Sequence, residues 1–131
     1  MPYKINEHEI KAVSALDGPA RYDHFIKRTA DWMELWSLKT DDGFVSLGDD
    51  AGNKGIPFWP HPTYAEQHVQ DDWSNCTATH ISLQDFMEKW LTGMERDGLK
   101  VFVFPTPNMR GVVVDPARLK SDLIEELEQH E

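Results

Sequence analysis

The run Val101-Phe102-Val103-Phe104-Pro105-Thr106-Pro107-Asn108-Met109-Arg110-Gly111-Val112-Val113-Val114-Asp115-Pro116 carries the strongest structural signal in the chain. Two apolar segments rich in β-branched and aromatic residues flank a loop stiffened by two prolines, which reads as strand, loop, strand. Their apolarity is continuous rather than alternating. That pattern predicts strands covered on both sides and central in a sheet. Asp115 followed by Pro116 is an N-cap with proline at the first helical position, and Leu119, Leu123 and Leu127 mark the buried stripe of a closing helix.

Upstream, Ser82 with Asp85 three residues later opens a helix whose apolar face is Leu83, Phe86, Met87, Trp90, Leu91 and Met94, and Asp97-Gly98 ends it. Trp90 is expected in the core. Thr77 to Ile81 predicts a short strand. Leu35 to Leu38 and Phe44 to Leu47, separated by Thr40-Asp41-Asp42-Gly43, predict an antiparallel hairpin, with Asp49-Asp50-Ala51-Gly52-Asn53 as an Asx-stabilised turn. Ile56-Pro57-Phe58-Trp59 predicts a third strand, and Pro57, which has no N–H, should sit at an edge or a strand end. A further helix is expected from Thr63 to Val69. At the N-terminus Asn6 and Glu9 form a capping-box pattern before a helix over about 7–16, and Tyr22, Phe25, Ile26, Thr29, Ala30 and Met33 line one face of a second.

These elements give an α+β fold: a single domain over 1–131, with an N-terminal helical pair over 1–33 and an α+β core over 34–131. The core is a mixed, mainly antiparallel sheet of about five or six strands with helices packed on it. A chain of 131 residues can bury a real core.

The composition narrows the functional classes. Twenty-three acids against thirteen bases give a formal net charge of -10, which disfavours binding to nucleic acid through its phosphates and favours encounter with a basic macromolecule. The single cysteine, Cys76, excludes an intramolecular disulfide and multi-cysteine metal motifs. No run of about 18 apolar residues is present, and the start lacks the charge and apolar regions of a signal peptide. A cytoplasmic protein is therefore expected, with no membrane, no metal and no cofactor. Its oligomeric state is not readable.

No serine occupies a Gly-x-Ser-x-Gly elbow, no glycine-rich loop precedes a helix, and Cys76 and His80 lack a second ligand pair, so the reading leans away from an enzyme. The most chemically suggestive local feature is Trp59-Pro60-His61-Pro62. Its prolines could hold the imidazole of His61 in a fixed direction within a pocket lined by Trp36, Trp59, His61 and Arg110. The other reading, which we favour, is a buried corner in which Trp59 packs in the core and His61 caps the next helix. Acids cluster in two turns, Asp41-Asp42 and Asp49-Asp50, and along the terminal helix at Glu125, Glu126 and Glu128. There the helix dipole prefers cations, so these charges are placed against local stability. They form a candidate acidic face beside the alternative of a solvated tail.

The order Trp36, Asp41-Asp42-Gly43, Leu47-Gly48-Asp49-Asp50, Pro57-Phe58-Trp59-Pro60-His61-Pro62, Lys89-Trp90-Leu91, Phe104-Pro105-Thr106-Pro107 and Gly111-Val112-Val113-Val114-Asp115-Pro116 resembles a bacterial family known as domain of unknown function 2750. The likeness runs from about Tyr22 to Leu127, and it implies neither an activity nor catalytic residues. In layout alone the chain is also similar to small modules of the SseB type, some of which stand beside bacterial toxins as immunity proteins. Together these observations lead us to expect a non-enzymatic protein-binding module, in its most concrete form an acidic immunity-type protein that neutralises a basic partner such as a toxin. A small-ligand-binding protein or enzyme with a pocket around Trp59 and His61 is the alternative.

Overall fold

The computed structural model of the chain describes residues 4–70, 73–107 and 111–129. Helix α1 (Glu7–Ser14) starts at Asn6, whose side chain accepts from the Glu9 N–H at 2.8 Å, and α2 (Gly18–Trp32) starts at Asp17, whose side chain accepts from the Ala20 N–H. Both caps satisfy donors that the first helical turn leaves open. Strand β1 (Glu34–Thr40) then pairs antiparallel with β2 (Gly43–Phe44) on one side and β5 (Thr77–Ser82) on the other.

A second sheet runs in the order β3 (Leu47–Gly48), β4 (Lys54–Phe58), β6 (Lys100–Val103) and β7 (Val112–Val114). Among the described residues only β4 and β6 are parallel, and the crossover between them carries α3 (Pro62–Glu66), β5 and the helices that follow. The sheet system is therefore mixed and mainly antiparallel, with seven strands among the described residues shared between two sheets. The expected strand from Phe44 to Leu47 is split, its ends pairing into different sheets.

The two sheets meet at one antiparallel bridge. Trp36 and Trp59 exchange both backbone hydrogen bonds at 2.8 Å, which puts the two indoles on the same face of the join. Pro57 sits inside β4 rather than at its end. Its missing N–H falls where the β3 ladder has stopped at Gly55 and the Trp59 bridge has not begun, and its carbonyl takes a hydrogen bond from Ser37 Oγ at 2.7 Å.

The Ser82 cap is as expected, accepting from the Asp85 N–H at 3.1 Å. The helix it opens is not uniform: α4 (Leu83–Asp85) passes through a π-helical turn, Phe86–Trp90, into α5 (Leu91–Arg96). The wide turn keeps Phe86, Leu91 and Met94 buried but leaves Trp90 only part-buried, edge-on to Phe44 at 4.6 Å and to Phe58 at 5.6 Å. Helix α6 (Pro116–Gln129) buries Leu119 and Leu123 against α2, α5 and β6.

Of the two apolar strands, β6 is central and buried from Val101 to Val103, whereas β7 is an edge strand, which corrects the expectation for Val112 to Val114. Helix α2 covers β7 so closely that a Cβ on Gly18 would stand 3.3 Å from Val112 Cγ2. Continuous apolarity records cover on the faces of a strand. It says nothing about a hydrogen-bonded neighbour on each side.

The two proline-containing tetrads pack on each other. Trp59 Nε1 donates to the Pro105 carbonyl at 2.8 Å, and His68 Nε2 lies 3.0 Å from the same oxygen. Phe104 is held at φ 54°, a left-handed conformation rare for an aromatic residue. It is fixed from both sides, since its N–H donates to Phe58 O at 2.9 Å and its carbonyl accepts from Arg21 Nε at 3.1 Å. Arg21 is buried, and Nη1 donates to Leu16 O at 2.8 Å, so one guanidinium ties the α1–α2 turn to the end of β6. Its burial lowers its pKa, although Asp17 works in the other direction.

Candidate functional site

Helices α2 and α6 lie side by side, and their apolar faces are consumed by the core. Tyr22, Phe25 and Ile26 from α2 and Leu119 and Leu123 from α6 are all buried. Where the two helices part toward solvent they leave a groove of about 460 Å³, with Tyr22, Ile26 and Val112 among its lining. Its polar rim is Asp23 from α2 and Arg118, Asp122, Glu125 and Glu126 from α6.

Four carboxylates thus face one guanidinium. The Tyr22 hydroxyl donates to Asp122 Oδ2 at 2.5 Å, and burial together with that hydrogen bond raises the pKa of the phenol, so it stays a neutral donor. Arg118 lies across the groove with its guanidinium carbon 5.8 Å from the Tyr22 ring centre and Nε 3.8 Å from Asp122. Its side chain is 69% exposed, so this contact is weak and open to exchange. The groove can hold a cation against an aromatic face and carboxylates.

Of the residues proposed from sequence for an acidic face, Glu125 and Glu126 line this groove, while Glu128 on the same helix is exposed outside its lining. Asp41 and Asp42 are exposed in the β1–β2 turn, where Asp41 borders a separate depression with Lys39, Thr77 and Thr79. Asp49 closes its own turn, Oδ1 accepting from the Ala51 and Asn53 N–H groups at 3.0 and 2.9 Å, and Asp50 beside it is exposed. The acids therefore lie on three elements: the β1–β2 turn, the β3–β4 turn and α6. Tyr22, Asp23, Arg118 and Asp122 were missed. Tyr22 reads as core on the α2 stripe, and the Arg118 and Asp122 pair at i, i+4 was the available signal.

Of the proposed pocket residues, Trp36 and Trp59 are brought together as cross-strand partners. Trp59 is fully buried, and His61 is 5% exposed with Nδ1 accepting from the Thr63 N–H at 3.1 Å, the N-cap of α3. Arg110 lies outside the described residues. Trp36 is part-buried, 5.2 Å from the ring of His80, whose Nε2 is 3.0 Å from Glu34 Oε1. Cys76 is buried and burial pushes its thiol pKa up, away from the thiolate a nucleophile needs. Among the described residues no group of three or more His, Cys, Asp or Glu is placed to hold a metal ion. Nor is any helix long and apolar enough to cross a membrane.

Residues 22–123 match the family described as protein of unknown function (DUF2750), and the chain belongs to that family. No curated protein and no solved structure was found to match it.

Proposed function

We propose that the chain is a non-enzymatic protein-binding module whose α2–α6 groove receives a cationic segment of a basic partner. The observation that carries this reading is the groove itself, with four carboxylates and the Tyr22 ring around a space that Arg118 only partly fills. The net charge of -10 supports it, because a field of that sign speeds encounter with a basic protein. In its most concrete form the module is a cytoplasmic immunity-type protein that masks a basic toxin. The pocket around Trp59 and His61 receives less support, since both rings are buried and Trp59 Nε1 and His61 Nδ1 are already engaged by the backbone.

Capture from the native host followed by association kinetics tests the reading. Replacing Asp23 and Glu126 with Lys should slow association and flatten its salt dependence, because exposed charges act mainly on the encounter rate. A captured partner that is itself acidic, or one whose association rate the double variant leaves unchanged, would remove it.

A further inference from the structure

Strand β5 forms an open edge of the first sheet, since the strand order there is β2, β1, β5. The register Leu35 to Ile81, Ser37 to Thr79 and Lys39 to Thr77 shows which groups it spends on β1. Trp36 turns its backbone toward Trp59, so on β1 the odd-numbered residues face β5. On β5 the partners Thr77, Thr79 and Ile81 point inward, and the N–H and C=O groups of Ala78 and His80 and the N–H of Ser82 point outward, while the Ser82 carbonyl is taken up by the start of α4. Among the described residues β1 is the strand that pairs with β5, and no strand pairs with it on the outward side. Ala78, His80 and Ser82 are all at least partly exposed, and the His80 side chain is 49% exposed.

Natural edges are blunted by shortness, charge, proline or a bulge. The other edge strands, β2, β3 and β7, are two or three residues long. Strand β5 has six residues, Thr77-Ala78-Thr79-His80-Ile81-Ser82, with no proline and no Asp, Glu, Lys or Arg. In a chain of net charge -10 it is an uncharged strip. That property selects the occupant: two copies repel each other across their acidic surfaces, but not along this one.

We propose that two copies of the chain pair antiparallel through β5 about a two-fold axis at His80. The edge is self-complementary in that register. His80 meets His80 of the second copy and the two exchange two backbone hydrogen bonds, while at each end the Ser82 N–H donates to the Ala78 carbonyl opposite, about four in all. His80 and Trp36 share a face, so the pairing places the two imidazoles side by side between two indoles as a cross-strand aromatic row. The first sheet then continues unbroken from one copy to the other. The acidic groove, built on α2 and α6, takes no part in the contact.

Sedimentation velocity on the full chain, from micromolar to millimolar protein at low and high salt, tests this. Two variants separate pairing from folding. Ala78→Pro removes an outward N–H that β1 does not use, and His80→Lys sets like charges face to face in the dimer only, while Lys can still reach Glu34 within one copy. The wild type should shift from monomer to dimer as concentration rises, more readily at high salt, and both variants should remain monomeric at every concentration with unchanged circular dichroism. If Ala78→Pro fails to fold, His80→Lys decides alone. A wild type that stays monomeric throughout, or a folded variant that dimerises as the wild type does, overturns the proposal.

Discussion

Acid should weaken this fold through His24, by an amount that the structure bounds. Burial disfavours the charged imidazole and Arg28 adds repulsion, which together bring its pKa from 6.5 to about 4. Its Nε2 is buried with no hydrogen-bond partner among the described residues, and the ring stands 6.2 Å from that of Phe104. In the unfolded chain the same group takes up its proton near its ordinary value. Between these two values the unfolded state binds more protons than the folded one, so stability falls as the pH drops from about 6.5 toward 4 and this contribution then levels off. At 1.36 kcal/mol for each pH unit the full effect is about 3 kcal/mol, and because the ring is only part-buried, solvent screening reduces the expected loss to about 1–2 kcal/mol. Urea unfolding of the wild type and of His24→Gln over this range isolates it. His68, whose pKa is also lowered by burial, titrates in both proteins and cancels. The wild type should lose about 1–2 kcal/mol more than the variant on acidification. Parallel pH profiles would refute the reasoning.

Three substitutions test the packing of the fold. A Cβ at Gly55 would lie 2.0 Å from the Lys100 carbonyl oxygen and 2.8 Å from Phe102 Cδ1, so Gly55→Ala must push β4 off β6 and should cost about 3 kcal/mol or more in urea unfolding. Trp90→Ala should cost about 2–3 kcal/mol in the same assay, below the 3–5 of a fully buried aromatic, because Trp90 keeps an exposed side. His61→Ala removes the N-cap of α3 and should cost about 1–2 kcal/mol, with the fold retained by circular dichroism.

The local elements were legible because their signals are local. Asn6 and Ser82 cap the helices they were expected to cap, and the Asp49 turn is closed by its own side chain. The joins between elements were not. Nothing within a few residues of Trp36 announces that it will bridge Trp59, and the ladder gap that admits Pro57 exists only once that bridge has formed. Arg21 on α2 is buried because two carbonyls converge on it, Leu16 from the preceding turn and Phe104 from far along the chain. The π-helical turn that turns Trp90 partly outward breaks the 3.6-residue period on which its placement in the core was based. The groove was half legible. Glu125 and Glu126 stood out by opposing the helix dipole, whereas Tyr22, Asp23 and Asp122 acquire their meaning only from the packing of α2 on α6.

The groove's affinity for a cationic chain is open to one direct measurement: amide chemical shifts of the protein during titration with a short oligoarginine peptide at low and high salt. The account predicts perturbations concentrated on the lining segments 19–26 and 118–129, fading at high salt and lost when Asp23 and Glu126 are replaced by Lys. Perturbations centred instead on the Asp41-Asp42 and Asp49-Asp50 turns, or a double variant that responds as the wild type does, would contradict it.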